Sequence, residues 1–204
     1  MKISRYYRTF LRRNLNKKNQ RLLKNKNFTI LCNNCVGGVI LHELGERFNS
    51  PTINLFFHAD DFIKFLTNMD YYLHQDLFEI ESDYTYPVGV LGDITIYFRH
   101  YSSFDEAKKI WVKRSLRINK DNLYIILVQR DGCTSQIVEK FDKLPYKNKV
   151  ALVSKPMPKI KCAYFIPDSE QSNDEVLDLC KYKNKFTGKR WIDDFDYVEF
   201  LNRK

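Results

Sequence analysis

Apolar residues fall along this chain in short blocks, and the spacing within each block indicates the element it forms. Phe28 to Cys32 is nearly continuous and reads as a buried strand. Val36 to Phe48 is compatible with a helix, and Thr52 to Phe57 reads as a second strand. Asp60 or Asp61 opens a helix that runs through Tyr72, with Phe62, Phe65, Leu66 and Met69 on its apolar face. Residues 76 to 92 contain Pro87, Gly89 and Gly92 and read as turns; Ile94 to Phe98 alternates like a strand. Ser103 and Glu106 form a capping box that opens a helix from about Phe104 to Leu116.

Farther on, Leu123 to Val128 has the unbroken apolar character of a strand covered on both faces. Ser135 to Phe141 predicts a short helix, and Val150 to Val153 and Ala163 to Ile166 predict short strands, punctuated by Pro156, Pro158 and Pro167. Asp174 to Cys180 and Ile192 to Leu201 read as closing helices. This alternation predicts an α/β fold, a three-layer α/β/α arrangement with a mostly parallel sheet. A single α/β domain over 27–204 is expected, preceded by a basic amphipathic arm over 1–26.

Composition changes the picture mainly at that arm. The chain has 204 residues, 44% of them hydrophobic, enough for one sizeable core, and a formal net charge of +9. Ten of its 34 Lys and Arg residues lie in residues 1–26, which hold no acid, so the body carries 24 bases against 25 acids. Ile3, Tyr6, Tyr7, Phe10, Leu11 and Leu15 follow helical spacing, with Arg5, Arg8, Arg12 and Arg13 mostly between them. Two readings follow. The helix lies on an anionic membrane, or its aromatic face packs on the body ahead of a solvated linker from Lys17 to Lys26. Nucleic acid ranks behind both, because no base-reading motif accompanies the charge. Five cysteines, an odd number without a secretory apolar segment, predict reduced thiols and a cytoplasmic protein, held peripherally on the inner face of the cell membrane if the arm binds lipid. No segment has the roughly 18 apolar residues needed to span a bilayer.

The chemistry is expected just after the strands, since ligands of open α/β sheets bind outside the carboxyl ends of their strands. Those positions hold Asn33, Asn34 and Cys35, then His58 and Asp60, then His100, then Arg130 and Asp131, then Ser154. A Cys35 and His100 pair supplies a nucleophile and its base, and Asp131 or Asp60 is placed to orient the imidazole. The Gly37 and Gly38 amides, at a helix start that also lowers a thiol's pKa, are placed to stabilise an oxyanion. The bland alternative is close helix-sheet packing at the glycines and a local hydrogen bond at His100.

Other motifs carry weaker signals. Cys32 and Cys35 form a C-x-x-C at a strand-to-helix turn, but Cys32 ends an apolar strand and no second ligand pair completes a zinc site. Asp60 and Asp61 resemble an acidic pair that holds a divalent metal and a nucleotide-sugar donor, though two acids at a helix start also act as a simple cap. Asp193, Asp194 and Asp196 read as a solvated first helical turn. Arg114 and Arg117, three apart beside Trp111, are spaced as a phosphate or carboxylate clamp.

Taken together, Asn33-Asn34-Cys35-x-Gly37-Gly38, Ser50-Pro51-Thr52 with its aromatic run, His100-Tyr101, Glu106-Ala107, Trp111, Arg114 and Arg117-Ile118 resemble a bacterial domain-of-unknown-function family labelled exopolysaccharide biosynthesis protein. The likeness spans roughly residues 28 to 155, and the family's recurrent positions map onto Asn34, Cys35, Gly38, Pro51, His100, Arg114 and Arg117. Family members commonly have Ser at the position of Cys32, which weighs against a dithiol. The resemblance implies an α/β fold and a setting in capsule or exopolysaccharide biosynthesis; it assigns no catalytic residues. The expected function is a transferase acting on a saccharide or lipid-linked saccharide precursor, with Cys35, His100 and Asp131 catalytic and Arg114, Arg117 and Arg130 holding phosphate or carboxylate. The alternatives are a cysteine-dependent hydrolase or amidase, and a non-catalytic saccharide-binding assembly factor. The cofactor is open: a divalent metal is expected only with a nucleotide-sugar donor.

Overall fold

The computed structural model describes residues 2–203, with side chains from Tyr6 onward; the side chains of Ile3 and Arg5 lie outside the described residues. A long helix, α1 (Lys2–Leu22), leads into β1 (Thr29–Cys32) and α2 (Val36–Leu44). After α3 (Ala59–Thr67) and α4 (Met69–Leu73) come β2 (Leu77–Ile80), β3 (Val88–Leu91) and β4 (Ile94–Tyr97). Then follow α5 (Phe104–Ser115), β5 (Leu123–Val128), α6 (Ser135–Asp142), β6 (Asn148–Val153), β7 (Ala163–Phe165) and α7 (Tyr197–Leu201). The main sheet has the order β1-β5-β6-β7 and is parallel throughout; β2-β3-β4 form a small antiparallel sheet.

Alternation along the central strands splits the core into two halves, because successive side chains point to opposite faces. Leu31, Ile125, Leu127, Ala151 and Val153 face α3, α5, α6 and the small sheet, where Phe57, Phe62, Phe65 and Trp111 pack together. Ile30, Cys32, Tyr124, Ile126, Val128 and Leu152 face α2 and the C-terminal segment with α7. The mixed α/β architecture expected from the pattern is present.

Close packing at the β1–α2 turn explains its glycines. A Cβ on Gly37 would come within 2.8 Å of Cys32 Cβ and 3.2 Å of Ile30 Cγ2, so only glycine lets α2 sit this near β1. Gly37→Ala is therefore expected to destabilise the fold by about 1–3 kcal/mol through overpacking. Urea unfolding checks this, and an unchanged midpoint would refute it.

Several elements depart from expectation. Thr52 to Phe57 is not a strand: it forms turns with Asn54 left-handed (φ 68°), and Phe56 makes one antiparallel bridge to Tyr97. Ser50 and Thr52 explain this locally, since the Ser50 hydroxyl accepts from the Thr52 N–H (3.1 Å) and the Thr52 hydroxyl accepts from the Cys32 N–H (3.1 Å), occupying groups a ladder would need. Residues 76 to 92, read as turns, contain β2 and β3. The helix expected over Asp174 to Cys180 is absent: Asp174 closes a 3-10 turn, Val176 bridges to Glu170 and bonds through its N–H to Gln129 O (2.8 Å), and Leu179 and Cys180 form a turn. Ile192 to Leu201 splits into a 3-10 turn (Trp191–Asp194) and α7, which Asp196 caps by accepting from the Glu199 N–H (2.8 Å).

At the N-terminal end, helix continues to Leu22, so the linker expected from Lys17 begins only after that residue. The helix meets the body through polar groups rather than aromatic ones. Arg12 is buried, pairing with both carboxylate oxygens of Glu43 on α2 and with Asp193. Asp193 is thus a buried ion-pair partner and not part of a solvated turn.

Candidate active site

What brings the polar groups together is the segment between α2 and α3. The Phe57 N–H bonds to Asn33 O (2.9 Å) at the end of β1, and Phe56 exchanges two backbone hydrogen bonds with Tyr97 (2.9 and 3.0 Å) at the end of β4. Through these neighbouring residues the small sheet is tied to the rim of the parallel sheet. The turn after β4 then carries Arg99 and His100 across to the start of α2. Its far side is anchored by Arg114, whose Nη1 donates to the Tyr101 hydroxyl (3.0 Å) and to Ile53 O (3.1 Å).

As a result Cys35 Sγ lies 3.2 Å from His100 Nε2, although the two residues are 65 positions apart. With the imidazole proton on Nδ1, the Nε2 lone pair accepts the thiol proton. Both groups line a cleft of about 310 Å³ with Asn34, Phe56, Arg99, Arg130, Asp131, Asp178 and Cys180. Cys35 is partly buried and its thiol is pushed above the ordinary range. Burial is the largest cause, opposed by Arg99 and reinforced by Asp178 and Asp131. The helix start does not prevail over desolvation here, contrary to the expected lowering. The group rests as a neutral thiol and needs a base to become a nucleophile.

Arg99 and Asp178 therefore act on the thiol with opposite signs. Arg99→Ala is expected to move the midpoint of Cys35 alkylation by iodoacetamide to higher pH, and Asp178→Asn to lower pH. At neutral pH this means slower and faster labelling respectively, by about 2- to 10-fold. A pH series of labelling rates checks both, and coincident midpoints in all three proteins would refute it.

The other expected residues divide into cleft-lining and structural groups. Asp131 is left-handed (φ 60°), followed by Gly132 at φ 82°; burial raises its carboxyl pKa, while Arg130, Asn34 and His58 oppose the rise. Its carbonyl accepts from the Ala59 N–H (3.2 Å) and approaches His58 Nδ1 (3.3 Å). Among the described residues, no carboxylate is hydrogen-bonded to His100, so neither Asp131 nor Asp60 orients the imidazole in the expected way. His58 stands beside the cleft, edge-on to Tyr97 (5.1 Å between ring centres).

Asn33 extends the β1–β5 ladder with its side chain, accepting from the Val128 N–H (2.8 Å) and donating to Val128 O (3.0 Å). Asn34 Oδ1 accepts from the Val36 N–H (3.2 Å) and so serves the start of α2. Gly37 and Gly38 are buried against β1 and Ile53 and do not line the cleft. Arg114 and Arg117 belong to a different depression, beside His42 and Phe48, and bond backbone carbonyls there; they are not a clamp in the Cys35 cleft.

The dithiol and divalent-metal readings lose their basis in the same way. Cys32 is fully buried with its thiol pushed up to about 12, chiefly by desolvation, which leaves no readily formed second thiolate for a redox pair. Asp60 pairs with Lys140 (3.7 Å), whereas Asp61 accepts from the Thr95 N–H (3.0 Å) and pairs with Lys64 (3.6 Å). The two carboxylates have separate partners and do not fit a shared divalent ion.

Sequence reasoning passed over Arg99, Phe56, Asp178 and Cys180. Arg99 adjoins His100 just after the same strand, a position on the expected rim. Asp178 and Cys180 were hidden by the expectation of a helix there.

The family of this chain is decided over nearly its whole length: a match to Domain of unknown function (DUF1919) covers residues 6–202. The chain belongs to the DUF1919 family. An uncharacterized protein of Haemophilus influenzae (strain ATCC 51907 / DSM 11121 / KW20 / Rd) is 42% identical to this DUF1919 chain over 200 residues, covering 98% of this chain and 94% of the relative. The DUF1919 match includes most of α1 together with the elements of the cleft. Among the described residues of this DUF1919 protein, no helix is long and apolar enough to cross a membrane.

Proposed function

We propose that the protein is a cysteine-dependent transferase that moves an acyl or related group onto a lipid-linked saccharide precursor in bacterial capsule or exopolysaccharide biosynthesis, working at the inner face of the cell membrane. The observation that carries this reading is the 3.2 Å contact between Cys35 Sγ and His100 Nε2 at the mouth of a cleft. The polysaccharide setting rests on the family resemblance of the Asn34-Cys35 to Arg117 positions.

In the first step His100 Nε2 takes the thiol proton as Sγ attacks the donor's acyl carbon, forming a C–S bond. The donor's bond to its leaving group then breaks, and the imidazolium returns the proton to that group. In the second, His100 takes the proton of a saccharide hydroxyl, which attacks the thioester; the C–S bond breaks and the proton returns to sulfur. Arg99 and Arg130 suit a phosphate or carboxylate on either substrate. Phe56 suits a sugar ring, since it continues an aromatic wall through Tyr97 (stacked, 4.5 Å) to Tyr84 and Tyr86.

Incubation with p-nitrophenyl acetate tests the reading. A nitrophenolate burst should accompany a thioester that peptide mass mapping places on Cys35, and a saccharide acceptor should accelerate its loss. An undiminished burst in Cys35→Ala would overturn the cysteine mechanism. Thioester loss indifferent to every saccharide offered would favour the hydrolase, and saccharide binding without any burst would favour the assembly factor.

A further inference from the structure

The helix α1 has two faces of opposite use, and on the inner one the charge is ion-paired with the body. Arg12 is sunk between Glu43 and Asp193, Arg8 stacks over Tyr182 (4.2 Å), and Asn19 donates to the Tyr197 hydroxyl (2.9 Å). Gly188 at φ 67° lets the helix sit flush: a Cβ there would meet Arg8 O and Arg12 N at 2.9 Å. This docking holds the helix in one orientation.

The outer face is consequently fixed toward solvent. Tyr6, Phe10, Arg13, Lys17 and Arg21 recur at intervals of three and four, which places them in one row over about 22 Å of helix. Tyr7 and Lys18 flank the row. The aromatic rings stand open, Tyr6 at 74%, Tyr7 at 55% and Phe10 at 60% exposure, and the turn abutting α1 at Gly188 adds Phe186 at 69%. Among the described residues, Arg13, Lys17, Lys18 and Arg21 form no ion pair, and α1 contains no acid. Exposed rings at one end and unpaired cations at the other form a single ridge.

We infer that this ridge of α1 is a docking surface for an anionic lipid bilayer. Tyrosine and phenylalanine rings partition into the headgroup boundary, and the cations meet acidic headgroups, so a bilayer satisfies both ends of the row at once. A nucleic-acid duplex, with its bases stacked inside, would engage the cations and leave the rings wet. A second copy of the same ridge would bring like charges together. The inference stands on α1 and owes nothing to the Cys35 reaction, so Cys35→Ala should bind vesicles as the wild type does.

Flotation of the full chain with phosphatidylcholine vesicles, with and without phosphatidylglycerol, is the test. The wild type should float only with the anionic vesicles, and rising salt should release it. Lys17→Gln/Lys18→Gln/Arg21→Gln should weaken partitioning on the order of a hundredfold, at about fivefold per cation. Tyr7→Ser/Phe10→Ser should weaken it on both sides of the salt titration, because ring burial is not screened. These positions are solvent-facing, and unchanged circular dichroism melts confirm that the variants fold. Wild-type protein that stays unbound with anionic vesicles, that binds a duplex RNA in preference to them, or that self-associates through this ridge on light scattering would overturn the inference.

Discussion

Glu43→Ala is expected to remove about 3–5 kcal/mol of folding stability, as breaking a buried ion pair by deleting one partner does. Glu43 is 4% exposed, although it belongs to a helix whose other buried positions are apolar. Its carboxylate accepts from two guanidinium groups at once: Arg12 Nε at 2.8 Å and Arg190 Nε at 2.7 Å share Oε1, and Arg12 also holds Oε2. Deleting it leaves two cations facing an enclosed space where water solvates them poorly. Arg12→Ala should cost less, because Glu43 keeps Arg190 and Asp193 keeps the Arg190 N–H (2.6 Å). Arg13→Ala, on the solvent side of the same helix, should change stability by no more than about 0.5 kcal/mol. Urea midpoints at constant m-value give the order, and a Glu43→Ala loss no greater than that of Arg13→Ala would show that the buried cluster contributes nothing.

The second large effect concerns the base. His100→Ala should slow the p-nitrophenyl acetate burst at neutral pH by about 10²- to 10⁴-fold, the usual contribution of a positioned general base. The size follows from the resting state of Cys35. Its pKa lies above the ordinary thiol range, so little thiolate is present and the proton must leave during attack. No neighbour replaces the imidazole, since Asp131 engages Arg130, Asn34 and His58 and none of the described carboxylates bonds His100. In the variant the rate should climb with pH as the thiol ionises unaided. A burst equal to the wild type at neutral pH would mean that the 3.2 Å contact has no chemical role.

Much of the framework was legible because it depends on local rules. Leu123 to Val128 matches β5 to the residue, since a strand covered on both faces must be apolar at every position. Ser103 does cap α5, accepting from the Glu106 N–H (3.3 Å), because a cap closes within four residues; the return half of the box goes to Ser102, whose N–H and hydroxyl donate to the Glu106 carboxylate. Legibility failed where a segment's hydrogen bonds go to distant partners. Residues 174 to 180 have a helical composition, yet Val176 pairs with Gln129 and Leu177 with Ser169, and these tertiary bonds override propensity. Thr52 to Phe57 has strand composition, but its backbone is divided between the ends of β1 and β4.

The site was legible as a set of candidates and not as an arrangement. Cys35 and His100 were both visible as residues following strands, but the strands belong to different sheets, and the rule for a single open sheet does not by itself place them in contact. Arg114 illustrates the opposite error: its spacing from Arg117 suggests a ligand clamp, while its bonds to Tyr101 and Ile53 make it a support for the turn that bears His100.

Readable from residue order alone were the α/β class, the central strand β5, the Ser103 cap of α5 and the concentration of positive charge in the first 26 residues, because periodicity, capping and charge act between near neighbours. Only the folded chain shows that thiol and imidazole meet, that Asp60 and Asp61 part, and that α1 turns Arg12 inward and its rings outward. Each of those outcomes depends on hydrogen bonds or ion pairs between residues 30 or more positions apart, and such pairings exist only once the chain has closed around them.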